Sequence, residues 1–208
     1  MNHNILVIGG MGNMGKRYCK ILDKINVTYD IYDVKVPFPV KYDNFTGIII
    51  ATPTDTHYSI LKDLKDDGYK GPILCEKPIT KSKKELDEIL SFGLKLRMIN
   101  QYEYYFIVDE DYPKSSKPDH YNYFKTGEDT LTWDCINIIG TNNFNDVLIK
   151  NDSPVWLCQL RGKRLNIADM DWAYIWNIND WLNKGNENLS YIEKAHNKIF
   201  SIEEGKRK

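Results

Sequence analysis

Glycines at positions 10, 12 and 15 follow directly on the apolar run Ile5–Ile8, and apolar residues at helical spacing come after them. That order leaves few folds open. A strand that enters a helix through a glycine turn needs a crossover before its next parallel neighbour, so a second strand should follow within about thirty residues. Thr28–Tyr32 reads as that strand. Gly47–Ala51, Pro72–Cys75 and Leu96–Ile99 read as three more, and Gly47-Ile-Ile-Ile-Ala51 has the continuous β-branched pattern of a strand buried on both faces. Between them, Met14, Tyr18, Ile21 and Leu22 share one helical face, Ile60, Leu61 and Leu64 a second, and Leu86, Ile89 and Leu90 a third within Ser82–Leu90. Strands alternating with helices of this length predict a parallel sheet covered on both faces.

Beyond Asn100 the pattern changes. All five tryptophans (Trp133, Trp156, Trp172, Trp176, Trp181) lie there, and tyrosine is dense from Tyr102 to Tyr123. Gln101–Phe106 fits a crossover strand, Pro154–Ile167 a hairpin around Arg161-Gly-Lys163, and Asp129–Ile139 and Asp171–Leu182 two helices. A last amphipathic helix fits Leu189–Ile202, ahead of a frayed tail at Gly205–Lys208. The reading is an α/β chain with a Rossmann-type parallel-sheet domain over residues 1–100. A small α+β domain with a mostly antiparallel sheet follows over residues 101–208. An open sheet face rich in tryptophan and tyrosine predicts a homodimer or higher homo-oligomer. Tyr102, Tyr104, Tyr105, Tyr121 and Tyr123 read first as ordinary cross-strand stabilisers and second, with Trp133, as a surface that stacks on a sugar ring or an aryl substrate.

Charge and cysteine usage narrow the function classes. Lys plus Arg is 28 against 29 for Asp plus Glu, a net charge of −1, so the chain is not built to hold nucleic acid. No apolar run reaches the roughly 20 residues of a membrane helix, and Met1–Ile8 enters a strand without the pattern of an export signal. Cys19, Cys75, Cys135 and Cys158 are scattered and form no CxxC. They read as buried apolar residues in the cytoplasm, with no metal site.

Gly10-Met-Gly12-Asn13-Met14-Gly15 spells G-x-G-x-x-G between a strand and a helix, the context in which that pattern binds a dinucleotide. The glycines admit a tight turn and the close approach of a pyrophosphate. Gly10, Gly12, Asn13 and Met14 would meet it at the helix N-terminus. Asp33 ends the second strand, 18 residues after Gly15, where a carboxylate accepts from ribose hydroxyls. Against a 2′-phosphate it would repel, so NAD is favoured over NADP, with Lys35 a partial offset. The same glycines nearly form a nucleotide triphosphatase loop, but Arg17 replaces the hydroxyl residue that ligates magnesium. The bland alternative is a glycine turn of an α/β fold beside a solvated aspartate.

Two further motifs follow at the ends of buried strands: Ala51-Thr-Pro-Thr-Asp-Thr-His57 and Cys75-Glu76-Lys77-Pro78. With the glycine motif, in this order and spacing, the first hundred residues resemble the Gfo/Idh/MocA oxidoreductases. The resemblance implies that Thr52, Pro53 and His57 flank a nicotinamide cofactor together with Glu76 and Lys77. It also implies that Lys77 orients the substrate and assists proton transfer. Glu76 would fix the direction of Lys77 or cap a helix. Asp134 matches the family's acidic residue on a later helix and is the second catalytic candidate. Ile138 stands where the family has histidine, and His3, His120 (in a Pro/Ser-rich loop) and His196 do not replace it by motif. The implied function is hydride transfer between nicotinamide and a carbinol or ketone of a small polyol, sugar or related carbonyl compound. The alternative is a catalytically inactive dinucleotide-binding regulatory or scaffold protein. Ile138 and the short second domain favour that alternative, whereas Lys77 and Asp33 favour the enzyme.

Overall fold

The computed structural model describes residues 3–34, 41–100 and 171–206, and the backbone of four strands at 120–124, 148–150, 157–160 and 163–166. Backbone contacts divide the chain into two units. One is Met1–Ile99 with Ile178–Glu193, the other Asn100–Asn177 with Lys194–Lys208.

The first unit is built on five parallel strands: β1 (Asn4–Ile8), β2 (Thr28–Tyr32), β3 (Gly47–Ile50), β4 (Pro72–Cys75) and β5 (Lys95–Met98). Their order is β2-β1-β3-β4-β5. Helices α1 (Asn13–Lys24), α2 (His57–Asp66) and α3 (Lys83–Ser91) make crossovers. Every residue of β3 is buried, as are all but the first of β1 and β4, because these strands carry Ile, Leu and Val on both faces. The chain leaves β1 toward β2 on one side and returns to place β3 on the other, so the winding reverses between β1 and β3. Open α/β sheets bind ligands outside the carboxyl ends of the strands at such a reversal. Register aligns Ile8 with Ile50 and Ile50 with Cys75, so the loops leaving β1, β3 and β4 open along one edge.

Residues Ile178–Glu193 complete this sheet, although sequence reading places them with the second domain. They span the later part of α4 (Asp171–Lys184) and the start of α5 (Leu189–Lys206). Trp181 is fully buried against β3: a Cβ on Gly47 would lie 2.9 Å from its ring carbon Cη2. Gly47 therefore opens a slot for an indole. On β5, buried Arg97 donates through Nη1 to Asp180 Oδ2 at 3.2 Å and to Asn186 Oδ1 at 2.5 Å. Asn188 closes the strand's outer side. Its side chain accepts from the Met98 N–H (2.8 Å) and donates to the Met98 carbonyl (3.0 Å), while its own N–H donates to Leu96 (3.1 Å). One amide side chain stands in for a neighbouring strand, and an exposed edge is covered.

The second unit contains β6 (His120–Phe124), β7 (Leu148–Lys150), β8 (Leu157–Leu160) and β9 (Lys163–Asn166), in the order β7-β6-β8-β9. β6–β8 and β8–β9 are antiparallel and β6–β7 is parallel, so the sheet is mixed with antiparallel pairs in the majority. β8 and β9 pair from Leu157 with Asn166 to Leu160 with Lys163. His120 is the first residue of β6 and not a loop residue, since it pairs with Gln159. α5 runs to Lys206, so Gly205 and Lys206 are helical and not tail. Within this unit Asn177 donates to the Asn100 carbonyl at 3.0 Å, both residues being buried, and His196 is buried on α5. The expected strand at Gln101–Phe106 and helix at Asp129–Ile139, with Asp134 and Ile138, lie outside the described residues. Among the described residues no helix is long and apolar enough to cross a membrane, and no cluster of His, Cys, Asp or Glu could hold a metal ion.

Candidate functional site

Four glycines shape the loop after β1, and their tasks differ. Gly9 has φ +84°, donates to the Tyr32 carbonyl at 2.8 Å and accepts from the Gly12 N–H at 3.0 Å. The left-handed turn is therefore at Gly9, not at Gly10, where the G-x-G-x-x-G pattern puts it. Gly10 is glycine because a Cβ would meet Ile31 Cγ2 at 2.6 Å, and Gly15 because a Cβ would lie 2.1 Å from the Gly9 oxygen. Gly12 is different. Its φ of −73° suits any residue, and a Cβ there would come no closer than 3.3 Å to the Gly9 oxygen. A Cβ at position 12 would press on the Gly9 oxygen, but far less than one at Gly15.

Gly12 is also the N-cap of α1, and it offers no side chain to the helix. No acidic residue lies in the first turn, which begins with Asn13 and Met14. The opening N–H groups of a helix lack intrahelical acceptors and carry the positive end of its dipole. α3 shows the contrast. There Ser82 Oγ accepts from the Glu85 N–H at 3.3 Å, and the Thr80 hydroxyl donates to the Glu85 carboxylate. Beside the glycine loop, Asp33 Oδ2 accepts from the Met11 N–H at 3.2 Å, so the carboxylate is tied to the turn. Met11 and Val34 flank this pair as exposed apolar side chains, 52% and 94% accessible. Lys35 lies outside the described residues.

The loops after β3 and β4 are knitted by side chains. The Thr56 hydroxyl lies 2.8 Å from Thr52 Oγ1 and 2.7 Å from the Pro53 carbonyl, tightening the 3₁₀ turn Thr54–Thr56. Thr52 is half-buried and Pro53 exposed. His57 opens α2 and is fully buried. Its Nδ1 lies 3.0 Å from the Pro78 carbonyl and its Nε2 2.9 Å from the Thr52 carbonyl. Burial lowers its pKa from the ordinary histidine value, against the opposing pull of those carbonyls and the Glu76 charge. The resemblance implies a His57 flanking the cofactor; the structure buries the ring between the Thr52 and Pro78 carbonyls. Glu76 is buried too. Its Oε1 accepts from the Tyr18 hydroxyl at 2.5 Å and its Oε2 from the Lys77 N–H at 3.1 Å. Glu76 thus joins the Lys77 main chain to the Tyr18 hydroxyl. Lys77 itself is half-buried, and the Lys77–Pro78 peptide bond is cis. Burial, with the Glu76 charge beside it, pushes the Cys75 thiol well up from its ordinary pKa.

Gly9 and Tyr18 are the residues that sequence reasoning missed. The Gly9-Gly10 pair carries a signal for the first. Nothing in the sequence distinguishes Tyr18 from any other aromatic on a buried helix face.

No protein-family sequence model matches the chain, and no curated protein matches it by sequence. Solved structures match it by fold. A dehydrogenase (MviM) from Clostridium difficile is 15% identical, with a TM-score of 0.68 over 99% of this chain and 100% of that one. A Gfo/Idh/MocA family oxidoreductase from Vibrio cholerae is 11% identical, with a TM-score of 0.64 over 95% and 94%. The WlbA dehydrogenase from Thermus thermophilus, solved in complex with NAD and UDP-GlcNAcA, is 10% identical, with a TM-score of 0.60 over 95% and 93%. The chain thus has a Rossmann-like fold, and more particularly the fold of the Gfo/Idh/MocA-type dehydrogenases.

Proposed function

We propose that the protein is an NAD-dependent oxidoreductase acting on a carbinol or ketone of a small polyol, sugar or related carbonyl compound. One observation carries the reading: the uncapped, acid-free start of α1 lies behind a glycine turn to which Asp33 is hydrogen-bonded. A pyrophosphate fits the first, because α1 presents N–H groups and its N-cap, Gly12, has no side chain to cover them. A ribose diol fits the second, and Asp33 disfavours the 2′-phosphate of NADP by like charge. Exposed Met11 and Val34 offer apolar surface for adenine. When bound, the nicotinamide supplies the hydride acceptor or donor. This chain's own contribution is Lys77. Its ammonium, on the loop after β4, can donate a hydrogen bond to a substrate oxygen and stabilise the negative charge that develops there, or pass it a proton. Thr52 and Pro53 on the loop after β3 would border the cofactor.

Turnover is tested by NADH fluorescence against a panel of carbonyl sugars, cyclitols and nucleotide sugars. We expect Lys77→Ala to lower turnover by about 100-fold or more while NADH affinity stays within a few-fold, the signature of charge stabilised in the transition state. Equal turnover in that variant removes Lys77 from the mechanism. NADH binding without turnover across the panel favours the inactive regulatory or scaffold reading, consistent with Ile138 four residues after Asp134, where the resemblance puts histidine.

A further inference from the structure

Lys77 is gripped from both sides. Its N–H donates to Glu76 Oε2 at 3.1 Å, and the carbonyl of the next residue, Pro78, lies 3.0 Å from His57 Nδ1. Both grips lead away from the loop. Glu76 reaches Tyr18 on α1, the helix whose start lies behind the glycine turn, and His57 reaches the Thr52 carbonyl after β3 at 2.9 Å. We propose that His57 is a positioning residue, a single buried ring that straps the loop after β4 to the loop after β3 and so sets where Lys77 stands over the β1/β3 crevice. The proposal rests on the reading of that crevice as the dinucleotide site.

The chemistry of the ring supports a strap rather than a filler. An apolar side chain of similar size would fill the space at the start of α2 with no polar group to satisfy. Imidazole instead presents two nitrogens, each within hydrogen-bond distance of a main-chain carbonyl from a different crossover. Neutral imidazole has one N–H, so it donates to one of these carbonyls at a time. Burying a ring that cannot donate to both at once is a standing cost, and such costs collect where a structure must hold a particular geometry. The two points it joins are the Thr52 backbone and the residue after Lys77. A generic stabiliser would have no reason to bridge these two loops in particular.

A double-mutant cycle across His57 and Lys77 tests this. His57→Leu keeps bulk and removes both contacts. The four proteins are compared for NADH affinity, for hydride transfer to the best substrate of the panel, and, in those that retain Lys77, for the acylation rate of Lys77 by an activated ester relative to exposed Lys83. We expect His57→Leu to lower kcat about tenfold or more with NADH affinity within threefold. It should have no further effect once Lys77 is alanine, because its influence passes through that residue. The Lys77 acylation rate should change at least threefold. An equal fractional loss in both backgrounds, or an unchanged acylation rate in folded His57→Leu, overturns the proposal. If His57→Leu does not fold, His57→Gln, which keeps one amide donor, carries the same cycle. A wild-type protein that binds NADH and transfers no hydride defeats the oxidoreductase reading, and the acylation rate then decides on His57 by itself.

Discussion

The loops after β1 and β4 leave the same edge of the same sheet and are stabilised in opposite ways. The first is shaped by missing side chains: Gly9 turns left-handed, and Gly10 and Gly15 let backbone and sheet touch. The second is shaped by buried polar side chains, with Glu76 and His57 holding the main chain on either side of Lys77. The difference suits what we propose that each loop presents. A loop that offers its own N–H groups to an anion has to clear side chains away from them. A loop that offers one ammonium has to fix a single Cα, and fixing a point takes contacts from more than one direction.

The most damaging way to break the first loop is to add one methyl group where backbone already touches backbone. Gly15→Ala places a Cβ 2.1 Å from the Gly9 oxygen and 2.5 Å from the Gly10 Cα, neither of which can swing aside. We expect it to fall among the most destabilising single changes, by about 4 kcal/mol or more, with the melting temperature down by roughly 10 °C or more in a calorimetric scan. Gly12→Val separates folding from binding. Its backbone angles suit valine and its surroundings are looser. NADH affinity, measured by titration calorimetry, should drop by about tenfold or more with a much smaller loss of stability than Gly15→Ala. A variant that binds NADH as the wild type does would mean that the pyrophosphate lies elsewhere.

The weakest expected effect is on the second loop and appears only in acid. His57 is held below its ordinary pKa of 6.5 by burial, so the unfolded chain takes up its proton first. The stability conferred by a neutral His57 is complete above pH 6.5 and drains away as the pH falls from there toward the depressed native value. The slope is at most about 1.4 kcal/mol per pH unit for one proton. Denaturant unfolding between pH 7 and 5 should show this slope, and His57→Leu should flatten it.

How much of this was legible in the sequence divides along the same line. Thr28–Tyr32 and Pro72–Cys75 are strands to the residue, and the helix expected over Ser82–Leu90 runs over Lys83–Ser91, with Ser82 as its cap. Local chemistry determines those features: β-branched runs, glycine and capping residues act on their own neighbourhood. The glycine turn was readable for the same reason, apart from the shift of the left-handed residue to Gly9. Lys77 could be nominated, but not what holds it. Tyr18 and Glu76 are 58 residues apart, and His57 and Pro78 are 21 apart. No periodicity records such pairs. Trp181 was hidden in another way: a helix carries the same apolar stripe whichever sheet it covers, so the sequence beyond Asn100 could not say that its indole belongs in a slot on β3.

The slot at Gly47 also has a bearing on the order in which the molecule can be made. Synthesis runs from the N-terminus, so all five parallel strands leave the ribosome before residues 178–193 exist. Until that segment emerges, β3 has an unfilled groove, β5 an uncovered edge, and Arg97 lacks Asp180 and Asn186. An incomplete sheet of this kind is sticky, both along its open strand and over its apolar face. The nascent chain therefore carries its five-stranded sheet uncovered throughout the synthesis of Asn100–Asn177, the part of the second unit that lies between.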